Sequence, residues 1–233
     1  MGTTINAVSV SLFKNLNYDP VRDLTQIANI VEAQTVLVSS PDLPVKSMKE
    51  LISYGKEHPG KVTYASTGLG STGHLAGVLL SNVAGIKMLH VPYKGGPPVM
   101  TDLLAGRVDI SFSNPVSVIP HIRSGRIRAL AVVASARLPE LPDVPTMQEL
   151  GYRHFDINPW YGLMAPARTP AAIVQTLNAD VMKIMQIPAV RELLRKQGLA
   201  VVAPNTPAEF AARFKSDVAS YAQLVKDAGI TPQ

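Results

Sequence analysis

Short β-branched runs alternate with longer amphipathic ones along the middle of the chain, and this alternation predicts strand and helix in turn. Strands are expected at 62–66, 87–91, 108–113 and 127–134, with helices at 72–83, 97–104 and 116–123 between them. Consecutive β-α-β units of this kind predict a parallel sheet with right-handed crossovers. Two helix-to-strand joints, Ala105-Gly106-Arg107-Val108 and Ser124-Gly125-Arg126-Ile127, place glycine just past a helix end, where positive φ is needed. Ser47-Met48-Lys49-Glu50, Thr146-Met147-Gln148-Glu149 and Thr206-Pro207-Ala208-Glu209 have capping-box spacing, and Thr169-Pro170 puts proline at a first helical position. Toward the carboxyl end, Val174, Leu177, Val181, Ile184 and Met185 share one helical face, and Phe210, Phe214, Val218, Tyr221 and Val225 another. Both stripes are predicted to be core. The proline-rich stretch 138–145 reads as an ordered loop that closes the middle unit.

The middle unit is bracketed by two crossings, 33–40 and 157–166. The expected organisation is therefore a first α/β domain built from 1–41 and 157–233 and a second from 42–156. Two connections between two domains suit hinge closure around a ligand.

Gly68-Leu69-Gly70-Ser71-Thr72-Gly73 spells G-x-G-x-x-G between a predicted strand and a predicted helix. A dinucleotide fold would need an Asp or Glu about 20 residues further on to hold the ribose. None occurs anywhere in 58–101, so what remains is an anion cradle without a nucleotide hook. Ser71 is the expected N-cap, which would leave the N–H groups of Thr72, Gly73 and His74 for a ligand, with the hydroxyls of Ser66, Thr67, Ser71 and Thr72 close by. Ser113 and Asn114 close the third middle strand at the same rim, where ligands of open parallel sheets bind. The same pair also suits a turn or an N-cap before Pro115, and Lys94 is either a counter-charge or a solvated lysine.

Composition narrows the chemistry further. Twenty-two Lys and Arg against 17 Asp and Glu leave a net charge of +5, without a basic run or an aromatic platform, so no nucleic-acid partner is expected. With no cysteine there is no disulfide, thiolate metal site or cysteine nucleophile. His58, His74, His90, His121 and His154 are scattered, and no metal or cofactor is expected. Leu69 stands where a nucleophile elbow around Ser71 would need glycine, and His74 is too near in sequence to be its distant base. A small serine esterase or a nucleotide-dependent enzyme using the Gly68 to Gly73 loop is the rival reading, and a hinged sensor domain, which would need an attached DNA-binding element, is another. Residues Met1 to Asn6 have neither the basic nor the apolar region of a signal peptide.

Several strings occur in order along the chain: Ala65-Ser66-Thr67-Gly68-Leu69-Gly70-Ser71-Thr72-Gly73-His74-Leu75-Ala76-Gly77, His90-Val91-Pro92-Tyr93-Lys94-Gly95-Gly96, Asp102-Leu103-Leu104-Ala105-Gly106-Arg107-Val108-Asp109, Leu141-Pro142-Asp143-Val144-Pro145-Thr146 and Trp160-Tyr161-Gly162-Leu163-Met164-Ala165-Pro166. Together they resemble the extracytoplasmic solute receptors of tripartite tricarboxylate transporters, the Bug family. The resemblance implies a two-domain α/β fold of the periplasmic-binding-protein, type II or Venus-flytrap kind. It also implies a periplasmic, monomeric, non-catalytic receptor that closes on a small organic carboxylate and delivers it to membrane permease subunits. Residues matching the family's ligand contacts are Thr3 and Thr4 in the first domain, and Ser66, Thr67, Gly70, Ser71, Thr72, Gly73, Ser113 and Asn114 in the second. An acidic residue often stands in the family at the place of Ser113, where it meets a ligand amino group, so serine there argues against an amino acid. Relatives carry a signal peptide, a first strand and a Pro- and Gly-rich loop before the segment matching Gly2, so the first domain is expected to be incomplete and the chain to start inside a longer one.

Overall fold

The computed structural model describes residues 1–134, 136–152, 155 and 157–232. The chain opens with β1 (Gly2–Thr3), α1 (Thr4–Leu12) and β2 (Leu24–Ala33). There follow β3 (Thr35–Ser39), α2 (Met48–Glu57), β4 (Val62–Ser66), α3 (Thr72–Ala84), β5 (Met88–Pro92), α4 (Gly96–Leu104), β6 (Ile110–Ser113), α5 (Pro115–Arg123) and β7 (Arg128–Val133). It closes with β8 (Trp160–Pro166), α6 (Ala171–Ile184), α7 (Pro188–Lys196), β9 (Leu199–Val201) and α8 (Pro207–Asp227). No helix among the described residues is long and apolar enough to cross a membrane.

Two compact units result, one from Met1–Ala33 with Pro159–Gln233 and one from Gln34–Asn158. Their limits fall just before β3 and just after Asn158, so β3, placed by the sequence in the first domain (1–41), lies in the second unit. In that unit the sheet order is β5-β4-β6-β3-β7. β4 is parallel to β5 and to β6, as expected, but β3 is antiparallel to both β6 and β7. The sheet is thus mixed rather than wholly parallel. The four strands of the β-α-β series do share one direction, and β3 is inserted between the last two. Its Val36-Leu37-Val38 core is fully buried, the continuous apolar run of a strand covered on both faces. Val36 and Val38 pack with Val99 and Leu103 of α4, Val118 of α5 and Val132 of β7, and Leu138 and Leu141 of the proline-rich stretch close this core.

The other unit carries an antiparallel sheet of order β1-β8-β2-β9. Trp160, fully buried, meets Phe210 and Phe214 of α8 edge-on and donates its indole N–H to Asp217 Oδ2 at 2.7 Å. Phe210, Phe214, Tyr221 and Val225 of the predicted α8 stripe are buried, and Val218 is half-buried. The α6 stripe departs from expectation, because Leu177 and Ile184 are exposed. The face that packs on Ile27 and Ala28 of β2 runs through Val174, Val181 and Met182, and it includes Asn178, whose amide donates to Ile27 O at 2.7 Å. A polar residue on the buried row turned the helix away from its apolar stripe.

Two helix starts also differ. Thr146 and Glu149 exchange the bonds of a capping box, Thr146 N–H to Glu149 Oε2 at 2.7 Å and Glu149 N–H to Thr146 Oγ1 at 3.1 Å, yet only turns follow. Gly151, at φ of 93°, ends the segment after about one turn. Pro170 is the N-cap of α6 rather than its first helical residue, so the helix starts at Ala171, one place later than the sequence suggested. Thr206 and Glu209 form the expected box on α8, and Ser47 caps α2.

Candidate functional site

Because β4, β5 and β6 run parallel, α3, α4 and α5 all begin at one rim of the second unit. A cavity of about 510 Å³ opens there. Its lining takes Gly73 from the start of α3, Gly96 and Pro97 from the start of α4, and Asn114 with Ser117 from the start of α5. Ser66 and Thr67 at the end of β4, with Ser111 and Ser113 of β6, add hydroxyls, while Val99, Met100 and Phe112 add apolar surface. None of these lining residues is ionisable. Three positive helix ends therefore bear on the cavity without a formal charge beside them.

The three ends differ in what they offer. Asn114 Oδ1 accepts the Val116 N–H at 2.9 Å, Asn114 O accepts that of Ser117 at 3.1 Å, and Pro115 has none to give. On α4, Pro97 and Pro98 remove two donors. The Gly96 N–H that leads α4 finds no acceptor among the described residues, and α3 keeps two such groups. Ser71 is its N-cap, as expected, and its Oγ accepts the His74 N–H at 3.3 Å and donates to Gly68 O at 2.7 Å. The His74 N–H and the Ser71 hydroxyl, both expected to face a ligand, are thus used within the loop. The N–H groups of Thr72 and Gly73 have no acceptor among the described residues. The Thr67 hydroxyl and the Asn114 side-chain NH₂ likewise carry no internal partner there, and both residues are exposed.

Five of the expected site residues, Ser66, Thr67, Gly73, Ser113 and Asn114, line this one cavity. Gly70, Ser71 and Thr72 form the turn behind it; Gly70, buried and at φ of 71°, donates its N–H to His74 Nδ1 at 3.1 Å. Thr3 and Thr4 stand at the start of α1 in the other unit. Thr3 is the cap of that helix, and the Thr4 hydroxyl, almost fully buried, accepts the Trp160 N–H at 2.7 Å. Lys94 is exposed and outside the lining. Gly96, Pro97, Val99 and Met100 were missed, and the signal for them was the strand-end rule applied to β5, whose Gly95-Gly96-Pro97 joint opens a helix as Ser71-Thr72-Gly73 does; Ser117, in the first turn of α5, was missed too.

No Ser71–His74 dyad forms, since the ring of His74 faces Gly70 rather than the Ser71 hydroxyl. Ser66 Oγ instead lies 2.6 Å from His90 Nε2. Burial first, and then the neighbouring His74, hold His90 down at about 4, so it is a poor base at neutral pH. Burial likewise lowers His74 and pushes Tyr64 up to about 12. The Tyr93 hydroxyl donates to Asp102 at 2.7 Å and Arg107 pairs with the same carboxylate at 2.9 Å, which fastens the segment leading into α4. Among the described residues no group of three or more His, Asp or Glu could hold a metal, and His154 lies outside them.

A family model described as "Tripartite tricarboxylate transporter family receptor" matches residues 1–230. Protein BugT of Bordetella pertussis is 36% identical over 223 residues, covering 96% of this chain and 68% of that protein. Two solved structures from Rhodopseudomonas palustris are similar throughout. Rpa4515 with adipate is 32% identical at a TM-score of 0.81, over 100% of this chain and 78% of that one. MatC (Rpa3494) with bound malate is 31% identical at a TM-score of 0.76, over 96% and 77%. The chain spans 61% to 65% of the length of several other curated relatives that it matches.

Proposed function

From the premise that the chain belongs to the tripartite tricarboxylate transporter receptor family, a family of solute-binding receptors and not of enzymes, we propose that it captures a small organic carboxylate at the rim of its second unit. One observation carries this reading. Three helix N-termini line one cavity that has hydroxyls and apolar side chains but no ionisable group. An anion there is balanced by dipoles and N–H groups, with the Thr72 and Gly73 amides and the Asn114 side chain as donors. Val99, Met100 and Phe112 favour an acid with an apolar body, and with Ser113 in place of an acidic residue nothing in the lining receives an ammonium group. Adipate and malate, bound in the two similar structures, are the natural first ligands to try. Delivery of the solute to membrane permease subunits, a periplasmic location, a monomeric state and a contribution of Thr3 and Thr4 to binding belong to the same proposal.

Titration calorimetry with adipate, malate, 2-aminoadipate and the neutral diamide of adipate tests it. A charged hydrogen bond contributes about 1.5–3 kcal/mol, roughly ten- to a hundredfold in affinity. The acid is expected to bind at least about tenfold more tightly than its diamide and than the amino acid. Equal binding of acid and diamide, or binding of none of the acids, contradicts the assignment.

A further inference from the structure

Two imidazoles beneath the glycine-rich loop lie outside the lining of that cavity, yet both hold the loop. The rings of His74 on α3 and His90 on β5 stack at 3.8 Å between centroids and 10° between planes, and Tyr64 of β4 stacks on His90 at 4.9 Å. The parallel register that sets Tyr64 beside His90 brings them together. His90 Nε2 is 2.6 Å from the Ser66 Oγ, which donates to Gly68 O at 3.0 Å and accepts the Gly68 N–H at 3.2 Å, so Nε2 is the donor to Ser66. His74 Nδ1 receives the N–H of Gly70 at 3.1 Å. A backbone N–H can only donate, so that nitrogen must carry a lone pair and the ring's proton sits on Nε2. A second proton on the ring would put two donors face to face. It would also leave the buried Gly70 amide unpaired, and it would set a cation against the His90 ring.

We propose that the stacked pair His74 and His90 positions the anion-binding loop, holding Gly70 and Ser66, and that a proton added at His74 Nδ1 releases Gly70, loosens the loop and weakens carboxylate binding. The ligand half of this inference rests on the proposed function; the loop half does not. Of the elements packed on α3, β4 contributes Tyr64, β5 contributes His90 and β6 contributes no ionisable side chain. Asp109, just before β6, is engaged by Thr63. Among the described residues, no carboxylate on these elements therefore offsets a charge on either ring. Burial lowers both histidines, His90 to about 4. With the loop open they would titrate nearer about 6.5. The closed loop thus binds fewer protons than the open one, and its population falls as pH drops through the window between those values.

The test follows the Gly70 amide and the histidine rings by NMR from pH 7.5 to 4.5 in the 233-residue chain, beside His74→Asn, whose amide oxygen can replace Nδ1 without titrating, and His74→Phe, which keeps only a stacking ring. In the unaltered chain the Gly70 signal should move with the rings, and in His74→Asn it should stay fixed. At pH 7.5 the Gly70 amide should exchange at least tenfold faster in His74→Phe than in the unaltered chain, with His74→Asn restoring protection. Affinity for adipate should fall at least tenfold more across this range in the unaltered chain than in His74→Asn, a comparison that cancels the protonation of adipate itself. A Gly70 amide that stays fixed to pH 4.5 in the unaltered chain, or equal pH slopes of affinity in both, overturns the proposal. If adipate binds neither protein at any pH, the ligand reading fails while the Gly70 signal still decides the loop. If His74→Phe does not fold, the other two proteins suffice.

Discussion

Asn114 holds two tasks in one side chain, since Oδ1 caps α5 through Val116 while the NH₂ group stands in the cavity lining without an internal partner. Asn114→Asp separates them. Aspartate is as good an N-cap as asparagine and is favoured by the helix dipole, so the fold should keep its stability within about 0.5 kcal/mol or gain slightly. In the cavity the same change sets a negative charge near the ligand's own. At roughly 5 Å and an effective dielectric near about 20, the repulsion is on the order of 3 kcal/mol. Calorimetry should therefore show a carboxylate affinity at least tenfold weaker beside an unchanged melting curve, whereas unchanged affinity would remove Asn114 from the site. That this residue reaches the cavity lining, with Ser66, Thr67, Gly73 and Ser113, was legible from sequence because strand ends and helix starts can be located by pattern. The roles of His74 and His90 were not, since nothing local says that two histidines 16 positions apart stack across a strand register.

Helix α3 is seated by close packing at Gly77, where a Cβ would collide with the Tyr64 ring. Gly77→Ala gains about 1 kcal/mol of helix propensity in isolation. Overpacking a buried site typically costs about 1–3 kcal/mol, and here the obstacle is a ring pinned against His90. The net expectation is a loss of about 1 kcal/mol and a lower denaturant midpoint, while Gly96→Ala, with nothing within 4 Å of its Cβ, should be neutral. A stabilised Gly77→Ala protein would contradict the packing described. Element identity could be read because the β-α-β alternation from β4 to β7 is local, and the predicted helices and strands lie within about two residues of those found. Pairing order is not local. Nothing in the run from 62 to 134 announces that β3 will enter between β6 and β7, just as nothing in the α6 stripe announces that Asn178 will face β2.

The whole chain is two units with separate cores; the sequence pattern put the second boundary within two residues of the one found but the first eight residues late, beyond β3. Within the second, a single design places the site: parallel strands end together, so the helices that follow begin together, and their N-termini create positive potential where no lysine or arginine is present. The net charge of +5 lies elsewhere on the surface and plays no part in the lining. On the proposed function, what would hold a carboxylate is then backbone, chiefly the two unpaired amides at the start of α3. An amide-resolved NMR titration of the chain with adipate, and in parallel with its neutral diamide, addresses that statement directly. Adipate should shift the Thr72 and Gly73 amide protons downfield, saturably and more than any others, and the diamide should leave them in place. Saturable binding of adipate that leaves both amides unmoved would contradict it.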